Sequence, residues 1–144
     1  EDLQAAADVF ADVHARTDGV DGWVSLEVSP LLAYDAQSTI EAAVEVHQRL
    51  ARPNVFIKIP GTPQGLPAVE EAIYRGIPVN VTLLFSLQQY LDCVAAYQRG
   101  ITRRIGEGLD ADVASVASVF ISRWDAAVVG RVPAMLPSAH YLSI

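Results

Sequence analysis

The sequence contains a single cysteine, Cys93, among its 144 residues. One cysteine cannot form an internal disulfide, and an unpartnered thiol is typical of a protein in the reducing cytoplasm. Cys93 lies in a helical pattern, where we expect it to act as a small buried hydrophobic residue. The sequence therefore predicts a cytoplasmic protein that is stabilised by its core and not by cross-links.

Positive charge is also scarce, since 10 Lys and Arg face 17 Asp and Glu for a net charge of −7. Without a basic stripe to replace the counterions of a phosphate backbone, we expect no nucleic-acid partner. No apolar run reaches the length of a membrane span and no signal peptide opens the chain, so we expect no membrane partner. The chain begins at Glu1 without an initiator methionine, which we interpret as the mark of a piece of a longer protein.

The chain is instead rich in apolar residues, which make up 51% of it. Helical and strand patterns alternate along the whole length, with no linker between them, so we expect one domain over residues 1–144. The predicted class is α/β, with about four parallel βα units after an N-terminal helix. The predicted strands cover residues 23–28, 54–59, 77–85 and about 113–121. In the third strand, alternation places Val79, Val81 and Leu83 on one face, opposite Asn80 and Thr82.

The predicted helices follow from caps and glycine stops. The first covers Asp2 to Arg16, and the second starts at a capping box, Ser38 to Glu41, and ends before Pro53. The third takes Thr62 as its N-cap and Pro63 as its first residue, and the fourth starts at Ser86 and ends at Gly100. We expect residues 101–112 to be a loop or a broken helix, a fifth helix to begin near Trp124, and residues 133–144 to be irregular.

One lysine, Lys58, interrupts the apolar run that starts at Asn54. An ammonium is costly to bury, so either the side chain reaches a cavity or its proton is easily lost. A lysine that easily loses its proton can attack a carbonyl carbon and form a Schiff base. The alternative is a lysine at a strand end that only extends its charge into water.

Each predicted strand carries polar residues near the end that leads into the next helix: Glu27, Lys58, Asn80 with Thr82, and Ser118. In a parallel sheet these ends share one side, which is where α/β folds build their sites. A structural polar network is the alternative, but buried polar groups need partners, which makes a shared site the better interpretation.

Chemistry suggests a role for each of these groups. Glu27 would move protons and Thr82 would hold a water molecule. Asn80 and Ser118 would bind substrate hydroxyls. Arg123, just after the fourth strand, suits a phosphate or carboxylate, and a surface ion pair is its alternative.

The runs Val24–Val28, Ile57–Thr62, Val79–Ser86 and Ser118–Arg123 resemble, in this order, motifs of the transaldolase family. The resemblance covers about residues 21–131 and implies a partial (β/α)₈ TIM barrel. It also implies transfer of a dihydroxyacetone unit from a ketose phosphate, such as fructose 6-phosphate or sedoheptulose 7-phosphate, to an aldose phosphate in the pentose phosphate pathway. Neither a cofactor nor a metal is implied.

The resemblance also assigns residues. Lys58 would be the Schiff-base lysine, and Glu27 and Thr82 would hold the catalytic water. The sugar part of the substrate would contact Asn80, Ser118 and Phe120. The substrate's phosphate would contact Arg123.

The chain departs from the family in several places. The matched motifs resemble those of strands three to six, and the family's strand-one aspartate (its acid/base), its strand-two asparagine and its strands seven and eight have no counterpart here. Ser122 replaces a family glycine. The chain thus resembles the middle strands of a longer barrel. In the isolated chain, inward side chains such as Phe56, Leu84 and Phe120 would have nothing to pack against. We therefore expect it to form a homo-oligomer or to need the missing barrel half.

Two other interpretations stay open. A fructose 6-phosphate aldolase-like activity would use the same strands and lysine, although Phe120 at the family's aromatic position favours transaldolase. A non-catalytic half-barrel would fold or assemble without the acid/base.

Overall fold

A computed structural model describes residues 2–129 and residue 131. Helices and strands alternate along this part of the chain, and a short 3₁₀ helix, Pro30–Leu32, follows the first strand. The helices are α1 Asp2–Arg16, α2 Ala36–Leu50, α3 Leu66–Tyr74, α4 Leu87–Gly106 and α5 Ile121–Val128. The strands are β1 Val24–Glu27, β2 Val55–Pro60, β3 Val79–Leu84 and β4 Ser115–Val119.

In the described residues the four strands form one parallel sheet in the order β1-β2-β3-β4. This confirms the predicted class of an N-terminal helix followed by four parallel βα units. Glu27, Lys58 and Asn80 are register neighbours across β1, β2 and β3. The sheet therefore brings three of the predicted site residues into one row.

The helices cover one face of the sheet. Ile57, Ile59, Val79 and Val81 are all at most 2% exposed and belong to one core cluster with buried residues of α2, α3 and α4. Burial of one such aliphatic side chain contributes about 1.5–3 kcal/mol. This face is the main source of stability, and it holds the sheet that carries the polar row.

At the amino end of the sheet, the Phe56 ring stacks on that of Trp23, with 4.1 Å between ring centroids. Phe56 is only 5% exposed. The half-barrel interpretation predicted that Phe56 and Leu84 would lack packing partners, and this was wrong, since Leu84 is also fully buried. The buried Asn54 amide donates to the carbonyls of Ala7 and Gly22 and so ties α1 to β2.

Three predicted helix starts were wrong. Helix α2 begins at Ala36, because the Asp35 carboxylate caps it by accepting from the Ser38 amide at 3.0 Å. Helix α3 begins at Leu66, although Thr62 Oγ1 accepts from the Gly65 amide at 3.0 Å and so closes the turn before it. Helix α5 begins at Ile121, three residues before Trp124.

The predicted stop at Gly100 was also wrong, because α4 continues to Gly106. Gly100 lies where α4 crosses α3. A Cβ atom there would lie 2.7 Å from the Glu70 carbonyl oxygen and 2.9 Å from Ile73 Cβ. The glycine therefore permits close helix packing and does not end the helix.

Strand β3 contains a register shift between Val81 and Leu84, where Leu83 has a positive φ of 62°. The alternation of the strand predicted that Leu83 would share the buried face of Val79 and Val81. That was wrong: Leu83 is partly exposed and Leu84 is buried in its place. An irregularity of this kind bends a strand and redirects the side chains that follow it. The predicted irregular tail, 133–144, lies outside the described residues.

Candidate active site

Lys58 lies on β2, which is paired on both sides by β1 and β3. Its ammonium nitrogen Nζ is 3.6 Å from Glu27 Oε2 on β1. The Lys58 side chain is 27% exposed and that of Glu27 is 44% exposed. A solvent-accessible pair of this kind stabilises a protein by only about 0–1 kcal/mol, so stability alone does not explain why an apolar strand carries it.

Asn80 and Ser118 meet on the same side of the sheet. Ser118 Oγ donates to Asn80 Oδ1 at 2.8 Å, and Asn80 Nδ2 donates to Ser25 Oγ at 3.4 Å. Hydrogen bonds thus link β4 to β3, and they link β3 to β1 across β2, the strand that carries Lys58. Ser25 was not among the predicted site residues, although its position on the polar face of β1, two residues before Glu27, was a usable signal.

Thr82 is fully buried and pairs in register with Pro60, two residues after Lys58. Among the described residues its Oγ1 atom has no hydrogen-bond partner, although it is buried. Buried hydroxyl groups are normally paired, so an unpaired one at the carboxyl end of a strand is a candidate for binding a small polar molecule.

Arg123 is exposed in the first turn of α5 and lies over aromatic rings. Its Cζ atom is 4.3 Å from the Phe120 ring centroid and 6.0 Å from that of Phe85. The two rings stack with 5.7 Å between their centroids. Phe85, which follows the register shift in β3, was not among the predicted site residues.

Six of the seven predicted residues thus form two groups in the structure, and the Thr82 hydroxyl makes no hydrogen bond to either group. Lys58 pairs with Glu27, and a hydrogen-bonded chain links Ser25, Asn80 and Ser118 beside them. Arg123 and Phe120 form the second group, and both follow the carboxyl end of β4. Within residues 2–129 and 131, no cluster of three or more His, Cys, Asp or Glu has a geometry that would hold a metal ion.

The first group contains a primary amine, a carboxylate, an amide and hydroxyl groups, and all of them lie on the sheet face opposite the helix-packed core. An amine beside a carboxylate has the functional groups needed to attack a carbonyl carbon and to transfer the associated protons. The amide and hydroxyl groups can orient a polyhydroxylated ligand.

Among the described residues, no helix is both long and apolar enough to cross a membrane.

The parallel sheet of four strands in sequential order, covered on one face by alternating helices, has the architecture of part of a (β/α)₈ barrel. The transaldolase/fructose-6-phosphate aldolase family model matches residues 1–140. The chain belongs to this family.

Proteins named transaldolase are similar to this chain. Transaldolase 2 of Nostoc sp. is 48% identical over 136 residues, which are 94% of this chain and 36% of that protein. The transaldolase of Trichodesmium erythraeum is 47% identical over 92% of this chain and 35% of its own length. That of Neisseria gonorrhoeae is 49% identical over 92% of this chain and 38% of its own length. The chain therefore spans about a third of the length of these relatives.

Proposed function

We propose that the complete gene product is a transaldolase, which moves a dihydroxyacetone unit from a ketose phosphate to an aldose phosphate through a Schiff base on Lys58. The observation that carries this proposal is the 3.6 Å pair between Lys58 Nζ and Glu27 Oε2 on a strand that is otherwise buried. The family membership and the names of the relatives support it. The single, buried and unpaired Cys93 supports a cytoplasmic location.

Reaction begins when the neutral amine of Lys58 attacks the ketone carbon of the donor, and a proton moves to the former carbonyl oxygen. The resulting carbinolamine loses this oxygen as water once it receives a second proton, and an iminium ion remains. Glu27 is the nearest carboxylate to carry these protons. Thr82, whose buried Oγ1 has no partner among the described residues, would hold the water molecule through which they pass.

The iminium ion then accepts electrons. The bond between the third and fourth carbons breaks and its electron pair forms the enamine. The hydroxyl group of the fourth carbon loses its proton to a base and becomes the aldehyde of the departing aldose phosphate. The enamine carbon attacks the acceptor aldehyde, and water releases the new ketose from Lys58. In the family an aspartate of strand one takes the hydroxyl proton, and this chain has no counterpart for it.

Substrate orientation falls to the other polar residues. Asn80 and Ser118 are already hydrogen-bonded to one another and retain donors and acceptors for sugar hydroxyl groups. Arg123 would bind the phosphate, since a guanidinium presents a planar set of donors that matches phosphate oxygens. Phe120 would border the sugar between these two contacts.

Product analysis tests the proposal. A six-carbon donor, fructose 6-phosphate, and a four-carbon aldose phosphate should yield sedoheptulose 7-phosphate and a three-carbon aldose phosphate, which mass spectrometry distinguishes. Transaldolase 2 of Nostoc sp. serves as the positive control. If no seven-carbon ketose forms under conditions in which the control reacts, the proposal is wrong.

A fructose 6-phosphate aldolase-like activity is the second candidate, because the matching family model covers both activities. The same assay without an acceptor separates the two. An aldolase would release free dihydroxyacetone at an undiminished rate, whereas a transaldolase should retain the three-carbon unit on Lys58 until an acceptor arrives.

We also propose that the sheet described here acts only when more strands cover it. Val116 and Val119 on the edge strand β4 are 43% and 48% exposed. Apolar edge strands readily pair with other strands. Either a second copy of the chain or further barrel strands would cover these two valines. Without such a cover the chain would be a non-catalytic half-barrel. Light scattering of the 144-residue chain across a dilution series tests this, and a stable monomer at micromolar concentration with cooperative unfolding would contradict it.

A further inference from the structure

We propose that Phe85 is a positioning residue, which acts together with Phe120 to hold the guanidinium of Arg123 in place for an anion. This inference rests on the proposed function in one respect, namely that the natural anion is the phosphate of a sugar. The geometry that supports it is independent of turnover.

The first observation is how Arg123 is held. Within residues 2–129 and 131, none of the ion pairs involves Arg123, whose contacts are with the faces of Phe120 and Phe85. A ring face attracts a guanidinium but accepts none of its in-plane hydrogen bonds. The edge of the guanidinium therefore stays available for a bidentate anion, while the rings restrict its motion.

The second observation is how Phe85 itself is fixed. Its backbone amide donates to Gln89 Oε1 at 2.9 Å, and its carbonyl accepts from Trp124 Nε1 at 3.0 Å. Trp124 is the residue after Arg123. The start of α5, which carries the guanidinium, is therefore tied directly to Phe85, whose ring stacks on that of Phe120.

The third observation is the bulge before Phe85. Leu83 has a φ of 62°, which a leucine adopts only at an energetic cost. The shift changes which side chains point to the core, and the Leu84 carbonyl then accepts from the Phe120 amide at 3.1 Å. This bond holds together the backbones from which both stacked rings project.

These observations separate the roles of the two rings. Phe120 lies nearer the guanidinium, at 4.3 Å, and follows Ser118 of β4 by two residues. Phe85 lies at 6.0 Å from Arg123 and supports the Phe120 ring by stacking. Phe85 therefore acts on the anion only through Arg123 and Phe120.

The direct test is protection of Arg123 from phenylglyoxal by inorganic phosphate, measured on the complete gene product by peptide mass mapping. We expect phosphate to protect Arg123. Phe85→Leu should raise the phosphate concentration that gives half protection about two- to fivefold, because a cation–π contact at an exposed site contributes a factor of this size to binding. Phe85→Tyr keeps the ring face and should restore protection.

Phe56→Leu is the matched control, since it removes a stacked phenylalanine ring at the other end of the same sheet. It should lower thermal stability and leave phosphate protection unchanged. The inference is overturned if phosphate fails to protect Arg123 in the unmodified protein. It is equally overturned if Phe85→Leu changes nothing, or if Phe56→Leu weakens protection as much as Phe85→Leu does.

Kinetics give a second readout that a purely structural role would not produce. Phe85→Leu should raise KM for fructose 6-phosphate by the same factor, with kcat and the KM for unphosphorylated dihydroxyacetone nearly unchanged. An equal rise in KM for both substrates would contradict the positioning role. If phosphate protection behaves as expected but no sugar is transferred, the proposed function fails and the positioning of Arg123 stands.

Discussion

The two faces of the sheet are built from alternate residues of the same strands, yet they are opposite in character. On β2, Ile57 and Ile59 are fully buried against the helices, whereas Lys58 between them reaches the open face and pairs with Glu27. The helix-facing side is apolar and closely packed, and the open side carries an amine, a carboxylate, an amide and hydroxyl groups. Since the polar side adds little stability, its residues are best explained by chemistry.

The substitution with the largest expected effect is that of Lys58, on the open face of the sheet. Lys58→Ala should reduce sugar transfer by at least about a thousandfold, because the nucleophile is removed and not merely misplaced. Thermal unfolding should be nearly unchanged, because the side chain is accessible. A coupled turnover assay and a melting curve on the same preparation give both values, and loss of the fold together with activity would contradict the comparison.

Ile57, the neighbouring residue on the helix-packed face, should show the reverse, with a large effect on stability and a small one on activity. Ile57→Ala removes buried methyl and methylene groups from the core and should lower the free energy of unfolding by about 2–5 kcal/mol. Activity per folded molecule should change far less than in the Lys58 variant. Denaturant unfolding measures the loss, and a value near zero would show that this side of the sheet is not the packed core.

Chemical reactivity probes the helix-facing side without mutation. Burial, with a smaller contribution from the charge of Asp92, raises the pKa of the Cys93 thiol to about 11. Because only the thiolate reacts, alkylation of Cys93 at pH 8 should be about a hundredfold slower in the folded protein than in urea. Equal rates in the two conditions would mean that α4 does not cover Cys93.

The smallest effect concerns two glycines of the same helix. Gly100→Ala should destabilise the protein by about 1–3 kcal/mol, since the added Cβ meets the backbone of α3. Gly106→Ala is the matched control, because a Cβ atom at that position would point into open space, and it should be neutral or stabilising by about 0.5–1 kcal/mol. Similar stabilities for the two variants would show that α3 and α4 do not pack closely at Gly100.

The alternation of apolar and polar residues predicted both faces because it depends only on the geometry of a strand. The buried side of β2 could be predicted in this way. The alternation of helices and strands predicted the parallel order, and with it the row from Glu27 to Asn80. Gly100 could not be interpreted correctly, because a glycine that ends a helix and one that permits a helix crossing have the same local sequence. Only the position of α3 distinguishes them.

The errors at β3 have a related cause. A bulge shifts the alternation by one residue, and a leucine with positive φ gives no warning in the sequence, since glycine is the residue expected there. Leu83 was therefore assigned to the wrong face. The contact between Phe85 and Arg123 was also missed, because it depends on where the ends of β3 and β4 meet in space.

The most direct test of the central claim is covalent trapping of the Schiff base. Incubating the complete gene product with fructose 6-phosphate and then with borohydride should leave a stable adduct, which peptide mapping should locate at Lys58. Lys58→Ala should give no adduct under the same conditions. An adduct at any other position, or none where Transaldolase 2 of Nostoc sp. is labelled, would contradict the assignment of Lys58 as the nucleophile.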